Sequence, residues 1–192
     1  MMVKKGDRRV QMTRRMIKES FLELMQDYPI SKVTVKMICE SADINRSTFY
    51  AHYLNPYDLL NQIQKETLSH IQTYIMNKHF IIEKNKVAVP TLVQVLDFAK
   101  NNRSLFRVLL SESNSSNFQK GLESLANEKT MEEIAEEERL EGSAYEYLQI
   151  FEISGIISIM KIWLNKGCVD EPEELALLIS KLLFQGIGGF YQ

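Results

Sequence analysis

The sequence has few of the residues on which most catalytic and metal sites depend. Its 192 residues include 2 cysteines and 3 histidines, and it has no glycine-rich phosphate loop. Neither the cysteines nor the histidines have the spacing of metal ligands, and no histidine lies near a cysteine in the sequence. These residues are Cys39, Cys168, His52, His70 and His79. We therefore predict a protein that is not an enzyme, with no catalytic residue, no metal and no cofactor.

Segments that direct export or cross a membrane are also missing. The N-terminus MMVKKGDRRVQMTRR is basic, but it leads into no apolar run of the kind that a secretory signal has. The longest apolar stretch, from 144 to 164, is interrupted by Glu146, Glu152 and Lys161. We expect a cytoplasmic protein without a membrane partner, in which both cysteines remain thiols.

Charge is unevenly distributed, although the net charge is only −2. Residues 1–69 carry 11 Lys and Arg against 8 Asp and Glu, whereas residues 70–192 carry 12 against 17. Six glutamates lie between 131 and 141, where we expect a solvated helix face or a loop. A basic N-terminal arm on an acidic body indicates a polyanionic partner at one end, although a solvated tail has the same composition.

Strand signals are scarce, because only residues 32–35 form a β-branched run. Apolar residues elsewhere recur with helical spacing. In the first helix Ile17, Phe21 and Met25 form a stripe on one face, and the helix is expected to end before Pro29. The pattern therefore predicts an amphipathic first helix in a protein built from helices.

The rest of the chain is predicted to be helical as well. Pro56 suits the first position of a long fourth helix, and two apolar helices close the chain at about 144–165 and 172–187. We predict an all-α protein with two domains. An N-terminal three-helix domain spans 8–69, and a C-terminal helical domain spans 70–192.

The stretch INRSTFYAHY, residues 44–53, places many hydrogen-bonding side chains around a few apolar ones. Thr34 is expected to cap the helix before it, and Asn45 to cap the helix RSTFYAHY. Two short helices joined by a tight turn are typical of a helix-turn-helix, whose second helix enters the DNA major groove. Phe49 and Tyr53 are expected on the inner face. The same pattern also fits a surface helix whose polar side chains face water.

Residues 33–60, VTVKMICESADINRSTFYAHYLNPYDLL, resemble the DNA-binding domain of the tetracycline-repressor (TetR) family of bacterial regulators. The residues that match the family signature are Thr34, Ile38, Ala42, Thr48, Phe49, Tyr50, His52 and Leu59. Asp43 stands where the family has its turn glycine, and a left-handed conformation there costs other residues about 1–2 kcal/mol. Pro56 replaces a lysine that typically meets a phosphate. The remaining two thirds of the chain match only in helical layout.

The resemblance implies a sequence-specific DNA-binding regulator, a repressor that binds a palindromic operator as a homodimer. Together with the polar second helix, it predicts the DNA-binding residues Thr34, Lys36, Asn45, Arg46, Ser47, Thr48, Tyr50, His52, Tyr53 and Tyr57. Family members dimerise through their last two helices. Small and apolar residues on these helices predict the interface residues Ile153, Gly155, Ile157, Met160, Leu175, Ile179 and Leu182. The alternative is that the two helices bury each other within one chain.

The family also implies a small-molecule effector or a protein partner that binds the C-terminal domain and modulates DNA affinity. Phe98 and Phe106 suit such a pocket or an ordinary core, so no effector and no pocket residue is assigned. Two alternatives remain. Glu66 and His70, at i and i+4, suit a metal pair or a plain surface pair. A TetR-like protein that acts through a protein partner, with weak or no DNA binding, would account for both departures from the signature.

Overall fold

The computed structural model describes residues 5–76, 89–111, 117–125 and 143–190. These ranges contain nine α-helices, two short 3-10 helices and no strand, which confirms the predicted all-α class. None of these helices combines the length and the hydropathy that a membrane span needs. The glutamate-rich stretch at 131–141 lies outside the described residues. The α-helices are α1 (Lys5–Asp27), α2 (Val35–Ser41), α3 (Arg46–Tyr50), α4 (Pro56–Met76), α5 (Val89–Asn101), α6 (Arg103–Leu109), α7 (117–125), α8 (Ser143–Asn165) and α9 (Pro172–Gln185).

The first three helices and the start of α4 enclose a small apolar core. Ile17 and Phe21 of α1 are fully buried, and they share this core with Ile38 of α2 and Phe49 of α3. The apolar stripe predicted on α1 is therefore confirmed. The helix begins at Lys5, so the basic arm is helical from this residue onward and not an extended tail.

The buried residues of the C-terminal helices belong to the same core, which is continuous through the described residues. α5 packs against α9, and α6 packs against both α1 and α8. Trp163 is buried on α8, and its indole nitrogen donates to the carbonyl of Asp170 at 2.9 Å, which fixes the turn between α8 and α9. α4 runs unbroken through residues 69 and 70, where we predict the domain boundary. One continuous helix therefore connects the N-terminal helices with the C-terminal ones.

Four of the seven predicted dimer-interface residues belong to the core of the single chain. Ile157, Met160, Leu175 and Ile179 are 3%, 6%, 4% and 0% exposed, respectively. Side chains this deeply buried have no surface left for a second copy, so the prediction is wrong for these four. α8 is apolar on most of its faces, and periodicity alone could not show which face meets the rest of the chain.

Candidate nucleic-acid interface

The turn between α2 and α3 has a defined backbone conformation, and the sequence predicts part of it. Thr34 caps α2 as predicted, since its hydroxyl oxygen accepts from the backbone N–H of Met37 at 3.2 Å. Asp43 has φ of +50°, so it adopts the left-handed conformation expected at the family's glycine position. The N–H of Ile44 donates to the carbonyl of Cys39 at 3.0 Å, the bond that closes a Schellman motif after a left-handed residue. The turn is therefore intact with aspartate in it.

Asn45 caps α3 as predicted, and its side-chain oxygen collects three donors. The backbone N–H of Thr48 donates to Oδ1 at 2.8 Å. The hydroxyl of Ser47 donates to the same oxygen at 2.6 Å, and the hydroxyl of Thr48 donates at 2.8 Å. Three of the predicted DNA-binding residues thus form one local cluster that sets the direction of the helix. The hydroxyl oxygens of Ser47 and Thr48 can still accept hydrogen bonds while they donate to Asn45.

Several of the predicted DNA-binding side chains on α2, on α3 and near the start of α4 are exposed to solvent. Arg46 is exposed, and Tyr50 is 57% exposed. His52 is half-buried just after the helix, and Tyr57 near the start of α4 is 52% exposed. Lys36 on α2 is exposed and lies 3.6 Å from the carboxylate of Glu40, an ion pair weak enough for a phosphate to displace. Of these residues, Lys36 and Arg46 line one shallow pocket together with Asn45.

α3 is shorter than predicted, because it ends at Tyr50 and not at residue 53. Beyond it, the N–H of His52 donates to the carbonyl of Phe49 at 2.9 Å, three residues back, and this tighter turn closes the helix. The sequence could not set this end, since no proline or glycine follows until Pro56.

Tyr53 is a correction to the predicted DNA-binding set. It is only 1% exposed, and its ring centre lies 5.8 Å from that of Phe49 inside the N-terminal core. The guanidinium carbon of Arg14 lies 5.8 Å from the same ring centre. Burial raises the pKa of the Tyr53 hydroxyl. A side chain in this position supports α3 from within, so the prediction of a DNA contact is wrong for Tyr53.

The start of α4 forms a reciprocal cap that the sequence indicates through Asn55-Pro56. The side-chain oxygen of Asn55 accepts from the N–H of Asp58 at 2.9 Å, and the carboxylate of Asp58 accepts from the N–H of Leu54 at 2.9 Å. Leu54 itself is 77% exposed beside this cap. Leu54 is absent from the predicted DNA-binding residues. Its place outside every helical stripe of apolar residues was the sequence signal that it would be exposed.

The pair considered as a metal site has other partners. The carboxylate of Glu66 forms an ion pair with Lys18 of α1. The ring of His70 lies 5.6 Å from that of Phe98, which in turn lies 5.5 Å from Phe106. Within the described ranges no three His, Cys, Asp or Glu side chains come together as metal ligands. Phe98 and Phe106 thus belong to an aromatic cluster between α4, α5 and α6.

A comparison with known families decides the class of protein. A family model of TetR regulators, described as "Transcriptional regulator C-terminal region", matches residues 88–185. The chain belongs to the TetR family. The resemblance seen in the N-terminal third is therefore confirmed by a match in the other two thirds of the chain, and this TetR-family protein is a transcriptional regulator.

Individual relatives are distant but cover most of the chain. An uncharacterized HTH-type transcriptional regulator of Bacillus subtilis, YxbF, is 25% identical in an alignment of length 182 that covers 88% of this chain and 44% of that protein. The chain thus spans less than half the length of this relative. A TetR regulator from Streptococcus agalactiae superposes with a TM-score of 0.67 at 24% identity, covering 93% of this chain and 97% of the other. FadR of Bacillus subtilis, solved with stearoyl-CoA, gives 0.66 at 20% identity over 90% and 98%. These structures show the same fold.

Proposed function

We propose that this regulator binds double-stranded operator DNA sequence-specifically, with α3 in the major groove. The observation that carries the proposal is the exposed pair Arg46 and Tyr50 on a helix that is capped at one end and anchored by buried Phe49. A major groove about 12 Å wide admits one α-helix, and an arginine there can bind a guanine through two hydrogen bonds. TetR-family regulators bind DNA and small-molecule effectors, which supports this assignment.

The surrounding polar residues are proposed to hold the phosphate backbone. Thr34 and Lys36 lie at the start of α2, and Tyr57 lies at the start of α4. Contacts of this kind fix the register of a protein on DNA without reading its sequence. Lys36 and the basic first turns of α1 supply the positive charge that such contacts need.

A homodimer through α8 and α9 is the proposed assembly. Apolar side chains remain exposed on both helices, among them Phe151 at 69% and Leu177 at 60%. A Cβ added at Gly155 meets no heavy atom within 4 Å in the single chain, so a second helix can approach closely there. A two-fold dimer would require an operator with inverted-repeat symmetry, its half-sites about 34 Å apart. Changing Gly155 to Glu should therefore give monomers in sedimentation velocity, and an unchanged dimer would contradict this interface.

We further propose that the regulator is a repressor whose DNA affinity responds to a small molecule or partner bound by its C-terminal helices. The related FadR structure holds stearoyl-CoA, which supports a ligand-responsive body. α4 spans about 31 Å from the DNA-binding helices into this body, at 1.5 Å per residue. A ligand that favours one position of α4 would change the separation of the two α3 helices in a dimer.

Binding to DNA from upstream of its own gene tests the proposal. Fluorescence anisotropy should show that Arg46→Ala loses about 1–3 kcal/mol of operator affinity, if its guanidinium reads a base. Lys166→Ala, which removes an exposed cation beyond the end of α8, is the matched control and should bind as the parent does. Equal affinity of Arg46→Ala and the parent would reject α3 as the reading helix. Absence of any DNA binding by the parent would favour the alternative of a protein partner.

A further inference from the structure

A cleft of about 390 Å³ lies where the ends of α1, α6 and α8 meet. Its apolar lining comes from Met25, Val108, Leu110 and Leu164, none of which is more than 8% exposed. Sites for small molecules are clefts of about 300–1,000 Å³ that are lined mainly by apolar side chains with a few polar groups. The cleft therefore has the size of a small-molecule site, and it is lined by both apolar and polar side chains.

The charged side chains that line the cleft are both cationic. Arg107 of α6 and Lys161 of α8 both line the cleft, and no Asp or Glu of the described ranges does so. Neither cation takes part in an ion pair within the part of the chain that the structure describes. Arg107 lies in the last turn of α6, where a cation is favoured by the helix dipole. That interaction does not use the guanidinium donors, which remain available to an anion.

We propose that this cleft binds a small organic carboxylate. Its carboxylate would lie against Arg107 and Lys161, and its aliphatic body would lie against the apolar lining. The planar guanidinium matches a carboxylate through two parallel hydrogen bonds, and such charge-assisted bonds are the stronger ones in proteins. Gln26 and Asn165 also line the cleft, and their amides can accept or donate at the remaining polar edge of a ligand.

The position of the cleft gives binding there a regulatory consequence. Met25 and Gln26 belong to α1, which packs against α2 of the helix-turn-helix, whereas the other walls belong to the C-terminal helices. A ligand that contacts both sides stabilises one arrangement of α1 relative to α6 and α8. This consequence rests on the proposed DNA-binding function, whereas the binding itself does not.

The test uses the full chain labelled with carbon-13 at its methionine methyl groups and titrated with hexanoate. Met25 lines the cleft, so its methyl resonance, assigned with Met25→Leu, should shift saturably. Met12, which is 63% exposed on the same helix, should not shift and serves as the internal control. Hexanamide has the same shape without the charge, and its affinity should be lower by about tenfold or more.

Substitutions assign the charge effect to the two cations. The double variant Arg107→Gln with Lys161→Gln should bind hexanoate no better than hexanamide, whereas Lys166→Gln should bind both as the parent does. Equal binding of hexanoate and hexanamide by the parent would overturn the proposal, without requiring any variant to fold. Absence of a saturable Met25 shift at millimolar hexanoate would overturn it as well, and so would full hexanoate affinity in the double variant.

Operator affinity measured with and without hexanoate tests the regulatory half. Saturating hexanoate should change operator affinity several-fold, and operator should change hexanoate affinity by the same factor. Unchanged affinities would overturn the coupling. If the parent fails to bind operator at all, the proposed function is refuted, while the Met25 titration still decides whether the cleft binds a carboxylate.

Discussion

The cap of α3 allows helix stability and DNA binding to be tested separately, because two replacements of Asn45 affect them differently. Oδ1 of Asn45 accepts from the backbone of Thr48 and from the hydroxyls of Ser47 and Thr48. α3 has only five residues, so this cap is a large part of what holds it in place. We consider two replacements. Asn45→Ala removes the acceptor, and Asn45→Asp keeps an acceptor but adds a negative charge on the surface proposed to face DNA.

The two replacements should have different effects on stability. Loss of an N-cap side chain costs about 1 kcal/mol, within a range of about 0.5–2. The hydroxyl of Ser47 is exposed, so water replaces its lost partner at little cost. Asn45→Ala should therefore raise the local opening of α3 about fivefold. In Asn45→Asp the carboxylate lies at the helix N-terminus, where a negative charge is favourable by about 0.3–1 kcal/mol, so α3 should be at least as stable as in the parent.

Hydrogen exchange and DNA binding measure these two effects independently. The amides of Phe49 and Ala51 donate to the carbonyls of Asn45 and Ser47, so their exchange rates report the opening of α3. They should exchange faster in Asn45→Ala and not in Asn45→Asp. Operator affinity should fall in both variants, and in Asn45→Asp the loss should be largest at low salt because phosphates repel the added charge. Asn101→Asp makes the same change at an exposed residue, the last of α5, and should bind operator as the parent does.

Two results would refute this reasoning. Parental exchange rates in Asn45→Ala would mean that Oδ1 does not hold the helix. Parental operator affinity in Asn45→Asp at every salt concentration would mean that the N-terminus of α3 does not face phosphates, and the proposed docking of α3 would be wrong.

Three further predictions concern stability, each measured by urea unfolding. Asp43→Gly should raise the free energy of unfolding by about 0.5–1 kcal/mol, because glycine adopts the observed φ of +50° without strain, and a decrease would contradict this. Gly121→Ala should lower it by about 1 kcal/mol, since the new Cβ would lie 2.3 Å from Cδ1 of Leu68 and overpacking outweighs the gain in helix propensity; an increase would mean that Leu68 yields freely. Burial raises the pKa of Glu152, so the folded chain loses stability as pH rises through that titration. Glu152→Gln should accordingly stabilise the protein more at neutral than at acidic pH, and an equal effect at both would refute the assignment.

Local sequence determined the caps and the turn of the helix-turn-helix. Thr34 and Asn45 cap the helices that follow them, because a cap depends on a side chain and a backbone N–H two or three residues away. The left-handed conformation at Asp43 likewise depends on its own backbone and the ends of two adjacent helices. Pro56 starts α4 for the same local reason. These features involve neighbours in the chain and could be predicted from the chain, whereas the end of α3 could not, because no proline or glycine marks it.

Only the tertiary structure decided which apolar faces meet one another. Periodicity identifies an apolar face but not its partner. Tyr53 has two conflicting predictions, an inner-face position and a DNA contact, and its packing on Phe49 in the core decides for the first. Ile157 and Ile179 were assigned to a second copy, although the other helices of the same chain bury them. The cleft of Arg107 and Lys161 joins helices that are more than fifty residues apart in the sequence. Long-range packing determines these three features, because burial depends on which helices pack together. The sequence of a single helix does not specify its partner.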